Sequence, residues 1–228
     1  MRRLSILFGI SLAVLAIVVV AYASVLRPWH LRWGTIGTEA SETLPGDDLL
    51  QGTVSQVTRA ITINAPPQAI WPWLMQIGQD RAGFYSYTPL ENLVGADMPE
   101  IHTLLPQWEP RVPSEVVWFA NPERFHGEGK MIAAVVEERH AFIMVMLDDW
   151  LSLSNGTPGT RGSWAFVLRP LDENHTRLIA RQRSGPPLNV KSRLAGSLFW
   201  EPAHFVMERK MLVTIKELAE KEASNTKS

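Results

Sequence analysis

Three ionisable side chains fall inside the apolar stripe of one long helical pattern near the end of the chain, roughly residues 194–220. At 100° per residue, Leu198, Trp200, Phe205, Met207, Met211, Leu212, Ile215 and Leu218 share one broad face. Glu201, His204 and Glu208 point into the middle of that face. A carboxylate is costly to desolvate, so such groups are paired, wet or functional. His204 and Glu208 are one turn apart and within hydrogen-bonding reach. As a candidate acid/base pair they can move a proton in a cyclisation or dehydration, or hold a ligand hydroxyl or carbonyl. The structural alternative is a satisfied network that ties the helix to a sheet. Arg181 and Arg183, on one side of the last strand pattern, are the expected partners: turned inward they meet Glu201 or Glu208, turned outward they are solvated. Pro202 makes the place of Glu201 conditional. Either the helix kinks there, or its main part begins near Glu201 with Pro202 in the first turn.

Other chemistries find less material. Glu201-x-x-His204 copies half of a di-iron carboxylate pattern. The full pattern needs a second such motif and two further glutamates on facing helices, so no metal is expected. The chain has no cysteine, which excludes disulfides, thiolate nucleophiles and zinc-thiolate sites. A formal net charge of −1 gives no basic footprint for nucleic acid. No nucleophile elbow, phosphate loop or dinucleotide fingerprint occurs, and no cofactor is expected. Trp71, Trp73, Phe84, Tyr85 and Tyr87 cluster in sequence around two short helical patterns. They suit core packing, the gate of an apolar cavity, or an exposed interaction patch.

These residues need elements to position them. At 228 residues, with 46% hydrophobic and 20% charged, one domain plus extra segments is expected. Leu4 to Leu26 is a run of 23 uncharged residues behind Arg2 and Arg3. As a helix it is roughly 35 Å long, enough to cross a hydrocarbon core of about 30 Å. Trp29 and Trp33 beyond it suit a membrane interface. A transmembrane anchor over residues 1–27 is expected, with a signal peptide cut near Ala21-Tyr22-Ala23 as the rival reading. The arginine count ties across this segment, and the amino terminus tips it slightly toward an extracytoplasmic domain. Residues 28–56 read as a linker or surface strap, 57–222 as the domain, and 223–228 as a polar tail. Within the domain, a strand at 57–63 precedes short helices at 69–77 and 89–94. Thr88-Pro89-Leu90-Glu91 fits a capping box, which gives Glu91 a local role. Period-two patterns follow at 116–119, 131–137, 142–147, 162–169 and 176–183, with Asp148-Asp149-Trp150 ending one of them. Then comes the long helix. A curved sheet must cover its concave face, and that helix is the cover.

In this order the residues resemble the START-like, or SRPBCC, superfamily, specifically its bacterial membrane-anchored, polyketide cyclase/dehydrase-like members. The matching segments include Arg59-Ala60-Ile61-Thr62-Ile63-Asn64-Ala65-Pro66-Pro67, Gly83-Phe84-Tyr85-Ser86-Tyr87, Ser163-Trp164-Ala165-Phe166 and His204-Phe205-Val206-Met207-Glu208-Arg209. With Trp33-Gly34-Thr35 at one end, the resemblance spans about residues 33–220. Pro113-Ser114 departs from the Gly-Asp of relatives, so that turn is rebuilt. The resemblance implies an α+β helix-grip fold: a curved antiparallel sheet around the C-terminal helix, with a hydrophobic cavity between them. The expected occupant is a hydrophobic small molecule or lipid. The expected lining is Trp71, Tyr85, Tyr87, Trp164, Arg181, Glu201, His204, Phe205 and Glu208. No catalytic residue is implied.

Overall fold

The structure, a computed structural model, describes residues 2–53, 55–108 and 110–226; of residues 2–9, 12, 15 and 226 it describes only the backbone. Six strands form one antiparallel sheet in the order β1-β6-β5-β4-β3-β2. They are β1 (Ser55–Ile63), β2 (Val116–Trp118), β3 (Lys130–Glu137), β4 (Ala141–Val145), β5 (Gly162–Pro170) and β6 (Thr176–Ser184). Every strand pattern in the sequence became a strand. Helices α3 (Pro67–Met75) and α4 (Thr88–Leu93) are inserted between β1 and β2. Pro67 opens α3, where its missing N–H costs nothing. The long helix α7 (Glu201–Thr226) lies across the sheet, and Met211, Leu212, Ile215 and Ala219 on one of its faces are buried in the main core. The tail expected from residue 223 is helical as far as Thr226.

The inner face of the sheet carries Phe142, Met144, Trp164, Phe166, Leu168, Leu178 and Ala180 into that core. The outer face is covered by the strap. Leu44 packs there on Ala60, Val167 and Ile179. The strap enters through Gly34, at φ +75°, where an added Cβ would stand 2.0 Å from the Ala60 carbonyl oxygen. Only glycine tolerates both that conformation and that approach.

One helix was not expected. Leu147–Ser154 forms α5, so Asp148 and Asp149 open a helix where a strand end was expected. The buried Asp149 carboxylate accepts the N–H groups of Thr160 at 2.7 Å, Arg161 at 2.9 Å and Gly162 at 2.7 Å, which pins the start of β5. The signal was two acidic residues ahead of apolar Leu151 and Leu153, the composition of a helix's first turn.

The N-terminal segment is helical: α1 (Arg2–Ala21), a π-helical turn at Tyr22–Leu26, then α2 (Arg27–Leu31). The C-terminal helix has the same construction: α6 (Val190–Ala195), a π-helical turn at Gly196–Trp200, then α7. In both, a proline follows the π turn closely, Pro28 in one and Pro202 in the other. A proline in a helix loses a hydrogen bond and crowds the carbonyl one turn back, and a widened turn relieves that crowding. The two helices lie side by side. The Tyr22 hydroxyl donates to the Ser197 carbonyl, Arg27 pairs with Glu201 at 2.7 and 2.8 Å, and Trp29 meets Phe205 edge-on. Part of the run expected to be the anchor lies outside the described side chains. Among the described residues, no helix is long and apolar enough to cross a membrane.

Candidate functional site

A cavity of about 310 Å³ lies between α7, α4 and the inner face of the sheet. Phe84, Phe119, Trp164, Met207 and Met211 give it apolar walls, and His204, Glu208, Gln182, Ser86 and Glu91 supply its polar atoms. The three aromatic rings contact one another: Phe84 meets Phe119 edge-on at 5.0 Å, Phe119 meets Trp164 edge-on at 5.8 Å, and Phe84 stacks on Trp164 at 5.9 Å.

The polar wall is built around an ion pair. Glu208 is buried, and both its oxygens are engaged: Oε2 with Arg59 Nη1 at 2.6 Å, Oε1 with the Trp164 indole N–H at 2.7 Å. Arg59, fully buried on β1, also donates from Nε to the His30 carbonyl at 2.8 Å and stands over the Phe205 ring. One guanidinium thereby ties β1, α2 and α7 together. Arg59 Nη1 also lies 3.0 Å from His204 Nδ1. A guanidinium can only donate, so that contact makes Nδ1 the acceptor and puts the ring proton on Nε2. Burial lowers the His204 pKa further than Glu208 raises it, and Arg59 lowers it again. The neutral imidazole therefore presents Nε2–H as a hydrogen-bond donor.

Glu91 is the group that sequence reasoning passed over. The capping box does not form: Tyr87 occupies the N-cap position of α4 without a side-chain cap bond, and Thr88 is the first helical residue. Glu91 is thus released to line the cavity, and its Oε2 is buried without a hydrogen-bond partner. Burial, with Glu100 nearby, raises its pKa to about 7.

Several expected lining residues lie elsewhere. Arg181 faces the outer side of the sheet and does not meet α7. It binds Asp47 at 2.5 Å, the Glu42 and Glu39 carbonyls at 2.7 Å each, and Thr58. Arg183 lies on the same side and donates to the Asp47 carbonyl. The arginine opposite Glu208 is Arg59, which shares its strand parity with Val57, Ile61 and Ile63. That parity was a readable signal. Glu201 is taken by Arg27, and Phe205 packs on Trp29, His30 and Trp33. Trp71 lines a separate cavity of about 260 Å³ with Met75, Leu104 and Trp108. Tyr85 is buried with its hydroxyl on the Trp73 carbonyl at 3.1 Å. Tyr87 stands 39% exposed outside the cavity lining. The aromatic cluster is therefore mostly core. Trp164, His204 and Glu208 are the expected residues that the structure brings together.

No family model and no curated protein matches the chain. Solved structures similar to it include the Polyketide_cyc-like protein Cgl2372 from Corynebacterium glutamicum, 15% identical over 73% of this chain and 92% of that one, with a TM-score of 0.36. Protein BH1534 from Bacillus halodurans is 11% identical over 75% of this chain and all of its own, with a TM-score of 0.42. Protein MLL2253 from Mesorhizobium loti is 14% identical over 73% and 98%, with a TM-score of 0.37. The fold class is read from the architecture itself. A six-stranded antiparallel sheet with a long C-terminal helix across it is the α+β helix-grip arrangement that the sequence led one to expect.

Proposed function

We propose that this chain is a membrane-tethered binding domain whose inner cavity holds an apolar small molecule or lipid. The observation that carries the reading is the cavity itself. Its volume reaches the lower bound of small-molecule sites, roughly 300 Å³. Its walls are aromatic rings and thioethers, with a few polar atoms aimed inward, the usual composition of such sites. The acid/base alternative is weakened at Glu208, because both its oxygens are already held by Arg59 and Trp164. A carboxylate so paired braces a wall.

Support for the tether comes from two adjacent helices. The uncharged run from Leu4 to Leu26 has the length of an anchor. Beside its end, residues 188–200 expose Leu188, Val190, Leu194, Leu198, Phe199 and Trp200. Lys191 and Arg193 are exposed in the same stretch. An apolar surface with cations among it suits the boundary of an anionic bilayer. Such a tether holds the cavity close to lipid.

Two measurements on the full chain test the reading. Purification without added ligand, followed by native mass spectrometry and solvent extraction, is expected to return an apolar compound bound one to one. Flotation with phosphatidylcholine/phosphatidylglycerol vesicles is expected to carry the protein upward. A protein that arrives empty and takes up no apolar probe contradicts the binding function. One that stays at the bottom of the gradient contradicts the tether.

A further inference from the structure

We infer that the inner cavity selects an apolar ligand carrying a cationic amine, with Glu91 as its counter-ion. The inference rests on the cavity reading above and narrows it to a chemical class.

The charges around the cavity decide the ligand class. Arg59 and Glu208 compensate each other across 2.6 Å. His204 is held neutral by the proton arrangement that Arg59 imposes. Gln182 and Ser86 carry no charge, and the Ser86 hydroxyl is already committed to the Met207 carbonyl at 2.9 Å. That leaves Glu91, whose Oε2 is buried and unpartnered. The charged group felt most nearby is Glu100, of the same sign. Arg124 lies beside Gly95 at the end of α4, and Glu91 has no ion pair among the described residues, its Oε2 being unpartnered. The cavity wall therefore has one uncompensated negative charge. A carboxylate ligand meets repulsion there, a neutral ligand leaves the wall uncompensated, and an ammonium completes it. Phe84, Phe119 and Trp164 strengthen the choice, because aromatic faces attract cations, and more so where water is excluded. An apolar body against Met207 and Met211 with its amine at Glu91 uses every kind of wall the cavity has.

The test uses three soluble probes that share a body and differ in charge: phenylbutylamine, phenylbutanol and phenylbutyrate. Each is titrated calorimetrically into the full chain in lipid nanodiscs at about pH 8. The amine is expected to bind about tenfold more tightly than the alcohol, with the butyrate weakest. Glu91→Gln is expected to erase the amine's advantage over the alcohol. A second readout needs no variant. Lowering the pH to about 5.5 protonates Glu91 and is expected to weaken the amine about sevenfold, close to the alcohol's level. Alcohol binding without an amine preference overturns the inference and leaves the cavity function standing, as does a preference that survives Glu91→Gln. Failure of all three probes overturns both.

Discussion

Two buried arginine networks face each other through the sheet, and they differ in completeness. On the outer face Arg181 uses Nε, Nη1 and Nη2, each with an acceptor in Thr58 or the strap. Arg177 beside it grips Glu39 at 2.8 and 2.6 Å and also holds Thr62 and the Gly34 carbonyl. These bonds close the strap over the sheet. On the inner face Arg59 is as deeply buried, yet its Nη2 has no acceptor. Its partners Glu208 and His204 form a cavity wall, and the same cavity is lined by Glu91 with its unpartnered oxygen. Arg181 and Arg177 have an acceptor at each side-chain nitrogen and close the fold, although Arg183 Nε on the same side has none. A network that stops at a cavity leaves polar atoms for a ligand.

Glu208→Ala leaves Arg59 buried and uncompensated, which is expected to cost about 3–5 kcal/mol in urea unfolding. Replacing both partners, Arg59→Met with Glu208→Leu, is expected to recover most of that loss, because neither charge then needs solvation. A smaller effect is expected outside. Glu39→Ala removes the carboxylate that takes two of Arg177's bonds but leaves Thr62 and Gly34 as acceptors, for a loss of about 3 kcal/mol, the low end of the range for a buried pair. Phenylbutanol affinity is expected to survive Glu39→Ala and to fall with Glu208→Ala. Equal effects on binding would erase the distinction between the two faces.

The smallest effect sharpens it by pH. The Glu91 pKa is raised to about 7 by burial, above its ordinary 4.5, so the fold favours the protonated acid. That contribution is complete below the ordinary value and is lost as pH rises through 7. Glu91→Gln keeps the shape and cannot ionise. The variant is therefore expected to melt above the parent at about pH 8 and to converge with it at about pH 4. A parent that gains stability relative to the variant as pH rises would contradict the placement of Glu91.

Much of the fold was legible because strand alternation and one amphipathic helix are periodic signals that tertiary packing rarely overturns. His204 and Glu208 were legible as cavity residues for the same reason, since one helical turn puts both on the covered face. Arg181 and Glu91 were misread for different reasons. Alternation puts Arg177, Arg181 and Arg183 on one side of β6 but does not say which side the strap will cover. The inward parity of Arg59 with Val57, Ile61 and Ile63 held the missing half of that answer. Glu91 fits a local capping pattern, yet Tyr87 took the cap position and freed the carboxyl. A local motif proposes a partner, and the packed chain decides whether the partner is used. Asp149 was hidden because the N–H groups it accepts lie a whole turn and helix away in sequence, at Thr160, Arg161 and Gly162.

The ligand is expected in the inner cavity. Met207 and Met211 line it, Met75 lines the separate cavity beside Trp71, and Met146 is exposed. These methyl groups, isotope-labelled in the full chain and followed by NMR during titration with phenylbutylamine and phenylbutanol, report each place separately. Saturable shifts are expected at Met207 and Met211, with Met75 and Met146 unmoved. Shifts confined to Met75, or none at saturating probe, would contradict that placement.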